Sequence, residues 1–540
     1  MAASTDQLEV EWQFAAPSTD HVLAWLAVAN VPGYTVTPGP TKELNDTYYD
    51  TADWRFHRAH FTCRVREKGD GAELTLKSMA EAKDAVRSRR EITDFLSGPG
   101  PHRLAEAPGT GGQYVRLLAG RRALTALFTL DQLRRTFILA DATGEVAEIA
   151  VDRTTVPTGN QAAPVVLSRV EVEITAGAVV RAQRFVDLLV ATAGLTPAGT
   201  SKFEAALEAS GVTPTAPAST LGSTAIEPGM TVSEVAFAVL RKHFAVFLAN
   251  EAGTRLGEDI EALHDMRVAA RRLRAALQAF RPWLSPRLQH SRDELGWVAA
   301  ALGTVRDLDV QLERLAEWRA VDPAASAALD DVERLLTDRL DQGRKRMLTA
   351  LDSRRYDLMV QRFASALRRG SPRSVAGGRE PILAVAPGLL EKRYRRLRRM
   401  GDAIKPASPP ASYHALRIDA KKLRYALEFV GPIYGKPATE FAVRLTALQD
   451  LLGLHQDADV AIAMLREMAA TSGRRLGPET ILALGAISER YRVHAAALRA
   501  GFPKLYRPLN GQEWRALVKV IESRPRSRAN SAPAARTAGA

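Results

Sequence analysis

The segment His264-x-x-Arg267-x-x-x-Arg271-Arg272-Leu273-Arg274 recurs as His414-x-x-Arg417-x-x-x-Lys421-Lys422-Leu423-Arg424, displaced by 150 residues. Pro282 and Pro432 share that offset, as do Leu302-Gly303 and Leu452-Gly453, and Asp307-x-Asp309-Val310 and Asp457-x-Asp459-Val460. Separate features held to one offset without a gap mark an internal duplication, which obliges this part of the chain to fold as two homologous halves. Its apolar residues recur with a period near 3.6, and few β-branched runs interrupt them. Helices are predicted over 232–250, 260–280, 287–302, 307–318, 329–351, 382–400, 413–430, 439–452, 457–471 and 478–500.

Positions i, i+3, i+7 and i+10 lie along one stripe of a helix. His264, Arg267, Arg271 and Arg274 therefore project from one side of their helix, and His414, Arg417, Lys421 and Arg424 from its duplicate. A stripe of cations repels itself unless an anion or acidic neighbours compensate. A single such stripe reads as a solvated basic face; two in register across a pseudo-two-fold would line a cationic groove. Arginine grips phosphate oxygens bidentately and lysine supplies a point charge. The sparse aromatic residues nearby, Phe280, Trp283, Tyr413 and Tyr425, argue against nucleic acid, whose unpaired bases stack on aromatic platforms. Arg306, Asp307, Asp309, Asp457 and Asp459 have a structural reading: the four acids would cap helices or orient the stripes through salt bridges, ahead of metal binding.

The duplicated pattern resembles the CHAD family, a conserved-histidine α-helical domain of two four-helix bundles. The resemblance implies binding of inorganic polyphosphate in a basic pore, and association with polyphosphate granules. It assigns His264, Arg267, Arg271, Arg272, Arg274, His414, Arg417, Lys421, Lys422 and Arg424 to the anion. His455 is a weaker candidate, because Val305 stands at the matching place in the first copy.

Charge divides the chain. Residues 1–210 balance at −4 and the remainder at +17, which together give the net +13. Such a split points to a polyanion partner for the second part and a different task for the first. A Pro/Ser/Thr/Gly-rich stretch over 208–232 marks the change. The organisation read from this is a first domain over 5–210, a linker over 211–229, a helical domain over 230–510 and a disordered tail over 523–540. The lone Cys63 excludes an intramolecular disulfide framework and any multi-cysteine metal site. No signal peptide is read at the amino terminus, and no run of about 20 apolar residues could cross a membrane. A cytoplasmic protein without a membrane partner is the expectation.

In the first domain the period is two. Segments 8–14, 61–66, 73–77 and 170–174 alternate apolar with charged residues, acidic in 8–14 and 170–174 and basic in 61–66. A solvent-facing sheet would account for any one of them; several together fit a barrel with a charged interior. Helices are predicted over 18–29, 114–124 and 178–193. Glu9, Glu11, Glu171 and Glu173, with Asp152 and Glu148, would form an acidic wall able to hold a hard divalent cation. Arg64, Arg66, Lys77, Arg90, Arg134 and Lys202 would hold phosphates opposite.

This half resembles the CYTH family, the triphosphate tunnel metalloenzymes, through Glu9-x-Glu11, Tyr49-Asp50-Thr51, Arg64-x-Arg66, Leu74-Thr75-Leu76-Lys77, Arg90-Glu91, Glu171-x-Glu173 and Ser201-Lys202. The resemblance implies an eight-stranded antiparallel tunnel that hydrolyses a triphosphate. Mg²⁺ or Mn²⁺ would sit on Glu9, Glu11, Asp152, Glu171 and Glu173, with Glu11, Arg64, Arg66 and Lys77 catalytic and tripolyphosphate or another small triphosphate as substrate. The fold class expected is thus α+β multidomain. The family's opening pattern is Glu-x-Glu-x-Lys, and here Gln13 stands at the lysine position, which leaves a non-catalytic polyphosphate-binding protein with a degenerate barrel as the alternative.

Overall fold

The computed structural model of the chain describes residues 4–68, 71–79, 86–97, 104–158, 163–214, 221–321, 327–372, 375, 377–472 and 476–524. Most of the expected tail, and 215–220 of the expected linker, lie outside these residues. Two compact units emerge, Met1–Ala216 and Pro217–Ala540. Among the described residues no helix is long and apolar enough to cross a membrane.

The first unit is a closed antiparallel barrel. Its strands are β1 (Thr5–Ala15), β2 (Tyr34–Thr51), β3 (Phe61–Lys68), β4 (Gly71–Ser78), β5 (Val86–Leu96), β6 (Leu124–Asp141), β7 (Gly144–Val156) and β8 (Val165–Ile174). They follow the order β5-β4-β3-β2-β6-β7-β8-β1, and β1 pairs back onto β5 to complete the circuit. A two-residue strand, β9 (Thr196–Pro197), adds to β1. Helices α1 (Thr19–Val28), α2 (Thr110–Ala119), α3 (Val179–Ala193) and α4 (Lys202–Ser210) flank it.

Side-chain parity decides what the barrel encloses. Trp12, Phe14, Ile149, Val151, Val170, Val172 and Ile174 face outward and pack with Val22 and Leu26 of α1 and Phe185 and Leu189 of α3. The alternate positions, which carry Glu9, Glu11, Gln13, Glu148, Glu171 and Glu173, must then face inward. The period-two acids are an interior wall and not a wet outer face. Asp141 sets the β6–β7 turn: its carboxylate accepts from the Thr143 N–H at 2.7 Å, and Gly144 follows at φ +123°. The same carboxylate anchors α3 through a bidentate pair with Arg181.

The second unit is all-helical over its described residues: α5 (Val232–Ala249), α6 (Ile260–Ala279), α7 (Pro286–Val321), α8 (Asp330–Leu351), α9 (Arg354–Arg369), then α10 (Ile382–Asp402), α11 (Pro410–Val430), α12 (Lys436–Ser472), α13 (Pro478–Tyr506) and α14 (Gln512–Ser523). The second five repeat the first. The Val232 N–H donates to the Glu380 carbonyl at 2.9 Å, and the Ile382 N–H to the Met230 carbonyl at 2.9 Å. The 150-residue offset exchanges these two bonds, as a local two-fold requires. One apolar core runs through both repeats, from Phe244, Leu273 and Leu302 to Tyr394, Leu423 and Leu452.

Three helix expectations need correction. Helices α7 and α12 run unbroken through Leu302-Gly303 and Leu452-Gly453, where the sequence predicts separate helices over 287–302 and 307–318 and over 439–452 and 457–471. An interior glycine costs about 1 kcal/mol, and the buried Leu302, Val305 and Leu452 around these two offset that. Helix α9 was not anticipated: its arginines dilute an apolar stripe of Tyr356, Met359, Phe363 and Leu367 that the fold buries. In the first unit, the helix expected over 114–124 spans Thr110–Ala119 instead, and 124 already belongs to β6.

Candidate functional sites: a charged tunnel and a cationic helix pair

The barrel encloses a cavity of about 880 Å³ lined by residues of both signs. On the basic side, Asp46 of β2 holds Arg66 in a bidentate pair at 2.7 and 2.8 Å and lies 3.7 Å from Arg64. Arg64 also donates to the Thr75 hydroxyl at 3.0 Å. Asp46 was not anticipated; it fixes the two guanidinium planes that the Arg64-x-Arg66 pattern supplies. Arg134 forms a bidentate pair with Asp152 at 2.8 and 2.7 Å and reaches Glu171 at 2.7 Å. Lys202 contacts Asp152 and lies 3.1 Å from Glu171. A capping box between Ser201 and Glu204 starts α4 and sets Lys202 at its first turn, so Glu204 has a local structural task there.

On the acidic side, Glu9 pairs with Lys77, and Glu11 with Arg89. Gln13 bridges the wall, donating to Glu11 Oε1 at 3.0 Å and Glu171 Oε1 at 3.2 Å. Burial alone would raise the Glu171 carboxyl, but Lys202, Arg134 and Lys77 together hold it well below the usual range. Glu173 behaves oppositely. It faces the cavity without an ion pair among the described residues, and partial desolvation by the tunnel wall, then Glu9, Glu91 and Glu148, push it up to about 7 against Lys77.

Arg90 does not join this set. It points out of the barrel, bidentate to Asp6 at 2.8 and 2.7 Å and bonded to the Tyr114 hydroxyl. The inward positions of β5 are Arg87, Arg89 and Glu91. The parity was recoverable from the sequence, since Arg89-x-Glu91 keeps the spacing of two that a strand face demands and Arg90-Glu91 does not. Asp152 is fully buried, with both oxygens taken by Arg134 and Lys202, which makes it an orienting acid and removes it from the cavity wall. Asp50, of the Tyr49-Asp50-Thr51 pattern, lies away from the tunnel: its carboxylate accepts from the backbone N–H groups of Thr51, Phe56 and His57.

Among the described residues no three acidic or imidazole groups converge as a ready cage for a metal. The donor set nonetheless fits a hard divalent cation: Glu173 and Glu148 face the cavity free of ion pairs, and Glu9, Glu11 and Glu171 stand beside them. Mg²⁺ commonly takes one or two protein carboxylates and completes its shell with water and substrate phosphate.

In the helical unit the two stripes share one field. Lys421 is depressed to about 8 by burial and then by Arg417, Arg271, Arg424 and Arg267, from both repeats. Arg417 is likewise lowered, by burial and by Arg271 and Arg267, against the pull of Asp457. The Nε atoms of Arg271, Arg274, Arg417 and Arg424 are buried without a hydrogen-bond partner among the described residues. Buried donors left unpaired are costly, and phosphate oxygens would satisfy them. Arg267 pairs with Asp307 at 3.2 Å. A Cβ on Gly303 would lie 3.5 Å from the Arg267 Nε, and one on Gly453 3.8 Å from the Arg417 Nε. The equivalent arginines thus rest at ordinary contact distance over the duplicated glycines; Asp307 pairs with Arg267 from mid-helix, where capping is excluded, whereas Asp457 pairs with Arg314 at 3.5 Å. Arg272 and Lys422 sit off the stripes, paired with Glu428 and Asp419. His264 and His414 lie along the stripes, half-buried and exposed respectively. His455 is only 1% exposed, packed against the Tyr413 ring at a 32° tilt and 3.3 Å from Asp459, in a core position.

Residues 7–202 match the model of the CYTH domain, and residues 238–466 that of the CHAD domain. Uncharacterized proteins from two strains of Mycobacterium tuberculosis are 30% identical over 224 residues, 39% of this chain and 40% of theirs. The match therefore spans well under half the length of these relatives. Among solved structures, the CHAD domain of Ricinus communis is 25% identical over 54% of this chain and 96% of its own, with a TM-score of 0.44. PptA of Streptomyces chartreusis is 25% identical over 51% and 99%, with a TM-score of 0.41. A Hippeastrum protein described as having a dominant triphosphatase activity is 18% identical over 37% and 97%, with a TM-score of 0.30.

Proposed function

We propose, for a chain that carries a CYTH domain over residues 7–202 followed by a CHAD domain over residues 238–466, that the barrel hydrolyses inorganic triphosphate or a related small triphosphate and that the helical domain binds inorganic polyphosphate. The observation that carries the first part is the pair of opposed walls in one cavity. Arg64 and Arg66, held by Asp46, grip phosphoryl oxygens; Arg134 and Lys202, held by Asp152, offset charge on the departing phosphate. Glu9, Glu11, Glu171 and Glu173 would hold Mg²⁺ or Mn²⁺. Such an ion, when bound, polarises phosphoryl oxygens and draws down the pKa of its water. The protein's own part is positioning, through rigid strands and saturated ion pairs.

The second part rests on the cationic field of Arg267, Arg271, Arg274, Arg417, Lys421 and Arg424, with its unpaired Nε donors and the depressed Lys421. Attachment to polyphosphate granules would follow from it. Phosphate release from tripolyphosphate tests the barrel: wild-type protein should turn it over, and Glu11→Ala should lose about a hundredfold or more. A second reading, a barrel retained only to bind phosphate, is favoured by Gln13, which can neither carry charge nor titrate. No turnover in the wild type, with turnover gained in Gln13→Lys, would select it.

A further inference from the structure

At the Gln13 end of the tunnel two arginines lie outside the set just described. Arg87 lines the cavity from β5, is 5% exposed, and donates to the Ala198 carbonyl at 3.4 Å. Arg169 sits two residues before Glu171 on β8 and shares its inward face, because Val170 and Val172 between and beyond them pack outward. It is 9% exposed. Its guanidinium has no hydrogen bond or ion pair among the described residues; burial disfavours its charge most, Glu171 favours it and Arg87 opposes it.

The neighbouring acids are already engaged by other cations. Glu171 already receives Gln13, Lys202 and Arg134. Asp152, opposite Arg169 in the β7–β8 register, is taken by Arg134 and Lys202. Two adjacent guanidinium groups in a protein wall, one of them nine-tenths buried and unpartnered, are unfavourable until an anion arrives. Gln13 contributes no charge at this end, so the pair supplies its positive field.

We propose that Arg87 and Arg169 form a further phosphate subsite at this end of the tunnel, so that the barrel takes linear inorganic phosphate chains longer than three units. The proposal deepens the function argued above and rests on its placing of a triphosphate in the tunnel. A chain threaded past Arg134 and Lys202 meets the pair with its next phosphate, and a bidentate grip there favours tetraphosphate over triphosphate.

The test is equilibrium titration of the full chain with linear triphosphate and tetraphosphate in EDTA, where no turnover is required. Arg271→Gln and Lys421→Gln are included to weaken the helical domain. Tetraphosphate should bind about tenfold more tightly than triphosphate, the strength of one charge-assisted contact. Arg169→Gln and Arg87→Gln should each abolish that preference, while Arg169→Lys retains part of it. Arg169→Gln should also raise Tm, since it removes a cation whose charge burial disfavours. An unchanged preference in Arg169→Gln, or a fall in its Tm with no change in preference, overturns the subsite, as does a barrel that binds neither anion. Preference without phosphate release would leave the subsite standing and remove the hydrolysis. Release from tripolyphosphate with no preference would do the reverse.

Discussion

Glu173 enters the tunnel without the cationic partner that its neighbours Glu9, Glu11 and Glu171 each possess. Its folded pKa, about 7, lies above the ordinary 4.5. The native state therefore holds this proton over a range in which the unfolded chain has lost it, and stability falls as pH rises through that window. Glu173→Gln removes the cost. Its Tm without metal should match the wild type near pH 4 and exceed it at pH 8. The gain should be roughly one degree, modest because water reaches the carboxylate. A Tm gain equal at both pH values would contradict the assignment. The acids themselves were legible, because Glu9-x-Glu11 and Glu171-x-Glu173 keep strand spacing. Which of them stays unpaired was not, since that depends on Arg89, Lys77, Arg134 and Lys202 arriving from other strands.

The duplicated helices show a similar division. The basic stripes followed from spacing on one helix, whereas the role of Leu302-Gly303 required knowing that α6 lies across α7 and that Arg267 rests over the glycine. Arg90 was misassigned because an inward and an outward arginine are adjacent in β5, and pairing Arg90 with Glu91 ignores the spacing of two that one strand face demands. Gly303→Ala adds a methyl at an ordinary 3.5 Å from Arg267 and should stabilise the protein by about 0.5–1 kcal/mol through helix propensity. Gly303→Leu should displace Arg267 and weaken polyphosphate binding by about threefold to tenfold while the helix content holds. Denaturant melts and polyphosphate titration read the two effects. Equal polyphosphate affinity in the Leu variant and the wild type would show that Arg267 does not contact the anion.

At the scale of the molecule, each of the two units, Met1–Ala216 and Pro217–Ala540, concentrates cations where buried donors lack partners, one inside a closed barrel and one along a pseudo-two-fold helix pair. Their chemistries differ in one respect. The barrel sets Glu148 and Glu173, free of ion pairs among the described residues, beside saturated ion pairs, whereas the helical stripes are cationic with orienting acids such as Asp307 and Glu428. Hydrolysis should therefore belong to the barrel and depend on a divalent ion, and binding by the stripes should not. The measurement that tests this most directly is phosphate release from tripolyphosphate by the full chain, followed as EDTA is added and Mg²⁺ or Mn²⁺ is then restored. The account predicts release that stops on chelation and returns with the metal. Release that continues in excess EDTA, or its absence from both the wild type and Gln13→Lys with either metal, would contradict it.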